Sequence, residues 1–225
     1  MRLSCLNGNE NSNLSLNGLS KSKCILLTFD DGMLSVFNNA LPILYKLKIP
    51  SIIFYPAGLL GQHPAWEIKD EQLDTSDRIM NEEELRVISE NFNVEIASHT
   101  FSHVDLQKVT EENAVTELVS SKLILENIIN KKVKYFSFPY GSYNDSLIKS
   151  ALNCGYEIIF TTQPEMISIP NNKKIIGRVS VDPDDGFLEF ILKINGAYSW
   201  LPAAIRFKRK VKNFLDIKKK ISNLS

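Results

Sequence analysis

Short apolar runs alternate along this chain with longer stretches in which apolar residues recur at helical spacing. Residues 24–29, Cys-Ile-Leu-Leu-Thr-Phe, form one such run and stop at Asp30-Asp31-Gly32. A brief apolar segment closed by turn residues reads as a buried strand. Residues 51–55, 94–98, 135–138, 156–161 and 175–181 repeat the pattern. Between them, residues 33–47 carry apolar positions near helical spacing, with Pro42 as an irregularity. Asn81 is placed to cap a helix that opens with Glu82-Glu83-Glu84, where carboxylates suit the positive end of the helix dipole. Thr110-Glu111-Glu112 opens a long helix reaching about Asn130, and residues 144–153 form another that Gly155 closes.

Strands that alternate with helices imply parallel pairing through right-handed crossovers. The polar residues are not scattered over this pattern. Asp30, Asp31, His99, Tyr140 and Asp182 each fall where a strand stops. In a parallel barrel the strand ends share one face, and that face carries the chemistry. The expected fold is therefore α/β: a distorted (β/α) TIM-like barrel of about seven parallel strands over residues 24–185. A polar segment, 1–23, precedes it, and a basic, amphipathic helical segment, 186–225, follows.

Composition adds little that changes this picture. The 225 residues carry 26 basic and 26 acidic side chains, so no global field points to nucleic acid. Cys5, Cys24 and Cys154 form neither a disulfide framework nor a metal-binding pair, which fits a reducing compartment. Residues 1–23 lack the apolar stretch of a secretory signal, and no run of about 18 apolar residues occurs. The expectation is a cytoplasmic protein.

The candidate chemistry starts from the histidines. Two of the three, His99 and His103, stand in Ser98-His99-Thr100-Phe101-Ser102-His103, a spacing that lets both rings face one ion. Adjacent carboxylates at a strand end, as at Asp30-Asp31, are costly unless paired or bound to metal. Read alone, the aspartates also suit a helix cap, and the histidines a packed core. Read together, one aspartate ligates a metal and its neighbour takes a proton from the attacking water. Two histidines and one carboxylate leave coordination positions open, as catalytic zinc sites do.

Thr28-Phe29-Asp30-Asp31-Gly32, Ser98-His99-Thr100-Phe101-Ser102-His103 and Phe138-Pro139-Tyr140-Gly141 resemble, in order and spacing, the first three motifs of the polysaccharide deacetylase family, carbohydrate esterase family 4. The resemblance covers roughly residues 24–182. It implies a distorted (β/α) barrel that removes acetyl groups from glycans with the help of a divalent metal, expected to be zinc. It implies that Asp30 is the general base, that Asp31, His99 and His103 hold the metal, and that the Tyr140 backbone N–H, next to Pro139 at the substrate, stabilises the oxyanion. Two departures stand out. Many members carry an arginine where this chain has Ser137; Arg178, paired with Asp182, is either its replacement near Asp30 or one half of an ordinary ion pair at the barrel rim. Many also carry a late histidine as general acid, yet no histidine follows His103. His63 is the only one left, as an acid, a substrate ligand or simply a loop residue, and nearby Trp66 is placed to stack on a sugar or to cover the core.

After the barrel, residues 186–195 and 201–221 read as two helices. In the second, Ala204, Phe207, Val211 and Phe214 form a stripe, surrounded by Arg206, Lys208, Arg209, Lys210 and Lys212 and followed by Lys218-Lys219-Lys220. That chemistry suits an anionic membrane surface, and equally a helix covering the barrel with a solvated basic face. The expected activity is removal of an N-acetyl group from an amino sugar of a polysaccharide or of its nucleotide- or lipid-linked precursor, at the inner face of the membrane. The alternatives are a deformylase or other amide hydrolase on the same site, and a catalytically weak glycan-binding relative.

Overall fold

The computed structural model describes residues 2–7, 23–66, 77–164, 174–198 and 200. Eight strands form one sheet in the order β7-β6-β5-β4-β3-β2-β1-β8. Six of them pair in parallel: β2 (Lys23–Phe29), β3 (Ser51–Tyr55), β4 (Val94–Ser98), β5 (Tyr135–Ser137), β6 (Ile158–Thr161) and β7 (Ile175–Gly177). The chain crosses between them through α1 (Leu41–Lys46), α2 (Glu82–Asn91), α3 (Glu111–Ile129) and α4 (Asp145–Asn153). The distorted (β/α) barrel expected from the sequence is the fold observed.

The strands alternate faces with period two, and this builds two cores. Leu26, Ile52, Phe54, Ala97, Tyr135, Phe160 and Ile176 pack together as the barrel interior. Their neighbours Phe29, Ile53, Tyr55, Ile96, Phe136 and Ile159 point outward into the larger core under the helices. The same alternation sends Thr28, His99 and Ser137 inward, above the apolar layer.

The sheet closes in a way the sequence did not suggest. β1 (Arg2–Asn7) pairs antiparallel with β2 on one side and with β8 (Val179–Ser180) on the other. β7 and β8 are two halves of one extended stretch, separated only by Arg178. The first half pairs with β6 and the second with β1, so the two edges of the sheet are one chain. Among the described residues the barrel thus has six parallel strands and one inserted antiparallel strand, where about seven parallel ones were expected. Residues 2–7, assigned to the polar leading segment, belong to the sheet. Ladder hydrogen bonds to two neighbours place β1, and its sequence carries no clear hydropathic alternation to announce it.

Local capping follows the sequence closely. Asn81 and Glu84 form a reciprocal capping box at α2, and Thr110 and Asn144 cap α3 and α4. The expected helix over 33–47 is interrupted: a wider turn over Val36–Ala40 precedes α1, and Pro42 sits in the first turn, where its missing N–H costs nothing. Past the barrel, α5 (Phe187–Ile194) forms as expected. The second tail helix, with its Ala204, Phe207, Val211 and Phe214 stripe, lies outside the described residues. Among the described residues no helix is long and apolar enough to cross a membrane.

Candidate active site

Arg178, the residue between the two half-strands, is 1 % exposed and enters the top of the barrel. Its guanidinium lies over the Phe54 and Phe160 rings, at 5.0 and 6.0 Å. It meets Asp30 fork to fork, with Nη1 donating to Oδ1 at 2.6 Å and Nη2 to Oδ2 at 3.1 Å. The Ser137 and Thr28 hydroxyls accept from the same guanidinium at 2.5 and 3.2 Å, and the Thr161 carbonyl accepts from Nε at 3.4 Å. A charge so deep requires this degree of pairing. Arg178 therefore stands where the sequence reading placed it, and the short Ser137 side chain leaves the space it enters.

Beside Asp30, three side chains converge. Asp31, His99 and His103 each offer a ligand atom, all within 4.8 Å of one another. Asp31 Oδ1 lies 3.1 Å from His103 Nε2 and 3.6 Å from His99 Nε2. Burial pushes the His99 imidazole below its ordinary range, outweighing the nearby Asp30 and Asp31 carboxylates, so the ring is held neutral. Its Nδ1 lies 2.7 Å from the Ser137 carbonyl, which only a donor can approach, so the lone pair is on Nε2 and faces the site. A lone pair and a carboxylate oxygen aimed at one point repel each other unless a cation lies between them. Asp31 Oδ1 is buried without a hydrogen-bond partner, which is the same demand seen from the other side. The donor set fits a divalent ion, with two imidazoles and one carboxylate as in catalytic zinc sites.

The backbone is bent to make this cluster. Among the described residues, six other than glycine adopt positive φ, and four belong to the site: Asp31, Thr100, His103 and Tyr140. Such conformations persist where the surroundings over-determine them. Part of the determination is steric. A Cβ on Gly32 would come within 2.3 Å of the Tyr55 ring, so only glycine follows Asp31 here. Another part is Glu117 of α3. Its carboxylate accepts from the Phe101 and Ser102 amides at 2.9 and 2.8 Å, and from the Ser102 hydroxyl at 2.6 Å. Glu117 thereby clamps the turn between the two histidines. The sequence reading missed it, because a lone glutamate on a helix carries no signal.

Pro139 is buried and Tyr140 exposed, in a tight turn at the end of β5. The Tyr140 ring meets His103 edge-on at 4.9 Å. Trp66 stacks on His103, with centroids 3.7 Å apart and planes at 23°. It therefore belongs to the site wall, and the face turned to His103 is not free for a sugar. His63, three residues earlier, is exposed, and its Nδ1 lies 2.9 Å from the Asp77 carbonyl. Asp182 does not serve as the partner of Arg178. It is 68 % exposed and faces Lys193 at 3.8 Å, because the chain turns outward after β8 into a loop anchored by Lys193 and Asp185.

A barrel whose strand ends present Asp-Asp and His-x-x-x-His in this geometry defines a class, and comparison with known proteins agrees. The polysaccharide deacetylase family model matches residues 17–159, well over half of the chain, and the chain belongs to that family of carbohydrate deacetylases. It is 28 % identical over 161 residues to the YxkH protein of Bacillus subtilis (strain 168), covering 72 % of this chain and 52 % of that one. It is 25 % identical over 187 residues to the poly-beta-1,6-N-acetyl-D-glucosamine N-deacetylase of Staphylococcus aureus (strain MSSA476), covering 80 % of this chain and 61 % of that one. The chain thus spans between about half and three fifths of the length of these curated relatives. Among solved structures, IcaB from Ammonifex degensii superposes with a TM-score of 0.62 at 25 % identity, covering 75 % of this chain and 72 % of that one. The Streptococcus pyogenes deacetylase PplD, in complex with acetate, shares the fold with a TM-score of 0.63 at 23 % identity, over 75 % and 69 % of the two chains.

Proposed function

We propose that this protein is a metal-dependent hydrolase that removes N-acetyl groups from amino-sugar units of a surface polysaccharide or its precursor. One observation carries the reading: a carboxylate fixed by a buried arginine, Asp30, stands directly beside a three-ligand metal cluster. Asp31, His99 and His103 would hold the ion, zinc by ligand type. A bound ion of this kind polarises an acyl carbonyl and acidifies a water molecule. Asp30 takes the proton from the attacking water, and Arg178 holds its carboxylate in orientation. The Tyr140 N–H, presented by its left-handed turn, faces the developing oxyanion. The staphylococcal relative, which is named for poly-N-acetylglucosamine deacetylation, supports a β-linked N-acetylglucosamine polymer as the first substrate to test.

Acetate and formate release should be measured with the zinc-loaded protein on N-acetylglucosamine oligomers and on lipid- and nucleotide-linked amino sugars. Acetate release that Asp30→Asn abolishes supports the proposal. Formate without acetate would replace it with deformylation, and neither product, with glycan binding retained, would make this a binding protein.

The proposal extends to an anionic membrane. β8 runs in the same direction as β2, so the chain leaves it at the end of the barrel that carries Asp30. There α5 begins, with Phe187 81 % and Leu188 72 % exposed. Residues 201–225, rich in lysine and arginine, follow. Exposed apolar side chains next to a basic segment suit contact with anionic lipid, which would bring the site to the inner face of the membrane.

A further inference from the structure

The two histidines of the cluster are held in different ways. His99 is fixed through Nδ1 by the Ser137 carbonyl at 2.7 Å. His103 Nδ1 is buried and has no hydrogen-bond partner. A ligating imidazole is ordinarily oriented by a hydrogen bond from its second nitrogen. Without one, no hydrogen bond at Nδ1 fixes the rotation of the His103 ring about its Cβ–Cγ bond, although its backbone is fixed at φ 58° and the neighbouring Ser102 is clamped by Glu117.

What stands against that ring is Trp66. The indole lies nearly flat on the imidazole at 3.7 Å, while the Tyr140 ring abuts it edge-on at 4.9 Å. Any half-turn of His103 must carry a ring edge through the indole. We propose that Trp66 is a positioning residue for the metal ligand His103, supplying by stacking the orientation that a hydrogen bond supplies at His99. The inference rests on reading Asp31, His99 and His103 as the metal site, and it gives Trp66 a role that needs no sugar. It also ties the loop after β3 to the state of the site, because that loop docks on a metal ligand rather than on apolar core alone.

The test is zinc affinity, measured without substrate by competition with a chromophoric chelator. Trp66→Leu should bind zinc about tenfold to a hundredfold more weakly than the unaltered protein, the range for loss of a group that orients a ligand. Trp66→Phe, which keeps a flat ring, should recover most of the loss. The melting temperature of the metal-free protein should be the same in all three. Unaltered affinity in Trp66→Leu overturns the inference and leaves the metal site standing. Failure of the parent protein to bind zinc overturns both. If Trp66→Leu does not fold, Trp200→Phe leaves Trp66 as the sole tryptophan of the chain's two. One equivalent of cobalt should then quench most of the remaining fluorescence, and no quenching would overturn the stacked geometry.

Discussion

The Glu117 carboxylate accepts from both the amide and the hydroxyl of Ser102, at 2.8 and 2.6 Å, across 15 positions of sequence. Through that one residue the long helix α3 holds the turn on which His103 depends. Glu117→Ala should lower stability by about 1–3 kcal/mol, the scale for hydrogen bonds to a charged group, and weaken zinc binding about tenfold. Glu117→Gln, which keeps one acceptor oxygen, should fall between. Chemical denaturation and chelator competition measure the two effects separately.

The carboxylates should divide their labour. Asp30→Asn is expected to retain zinc and to lower turnover about a hundredfold or more, the usual contribution of a general base. Asp31→Asn should weaken the binding of the ion itself, and His99→Ala should lose most of it. Metal content beside acetate release decides the matter. The reverse behaviour of the two aspartate variants would exchange the assigned roles.

Arg178 and Asp30 should be strongly coupled. Breaking a buried pair from one side costs about 3–5 kcal/mol, so Arg178→Met should be much less stable than the parent. The double variant with Asp30→Asn should lose less than the sum of the two single losses. In Arg178→Met the carboxylate loses the fork that orients it, so turnover should fall while zinc content stays unchanged. Unaltered turnover would detach Arg178 from the reaction.

The His99 environment predicts a pH effect on the metal-free protein. Burial holds the folded ring below the ordinary value of about 6.5, so below that pH the unfolded chain binds the extra proton. Stability contributed by the neutral ring is complete above about pH 6.5 and declines as pH falls toward the depressed folded value. His99→Gln lacks this dependence. Its stability relative to the parent should therefore rise on acidification, as read from denaturation curves between pH 7 and 5.

The membrane proposal is tested with anionic vesicles. Basic residues near such a surface gain roughly 1 kcal/mol each before screening, so the full chain should sediment with phosphatidylserine vesicles at low salt and release as salt rises. A chain ending at Leu201 should stay folded and metal-loaded but bind much less, and Phe187→Ser with Leu188→Ser should weaken what remains. Loss of folding on truncation would place the tail in the core instead.

Much of this was legible in the sequence, for reasons that differ by element. The run 94–98 could be bounded to the residue, because Val94, Ile96 and Ala97 make a short apolar segment that stops just before a histidine. Asn81 and Thr110 announced their helices because capping is local chemistry. Asp30, Asp31, His99 and His103 could be grouped because the fold rule brings strand ends to one face. Strand β1 stayed hidden because its pairing, not its hydropathy, defines it. The misplacement of Asp182 has a related cause: two residues past a strand, nothing in sequence tells an inward side chain from an outward one. Glu117, and the stacking of Trp66 on His103, depend on contacts between distant segments that carry no pattern.

Arg178 joins β7 to β8 as well as reaching Asp30, so the last seam of the barrel and the charge that holds this carboxylate are a single residue. A barrel opened at that seam withdraws the guanidinium from Asp30 as its edges part. Opening of the barrel at this seam would therefore be reported at the candidate site itself, as loss of the fork between Arg178 and Asp30.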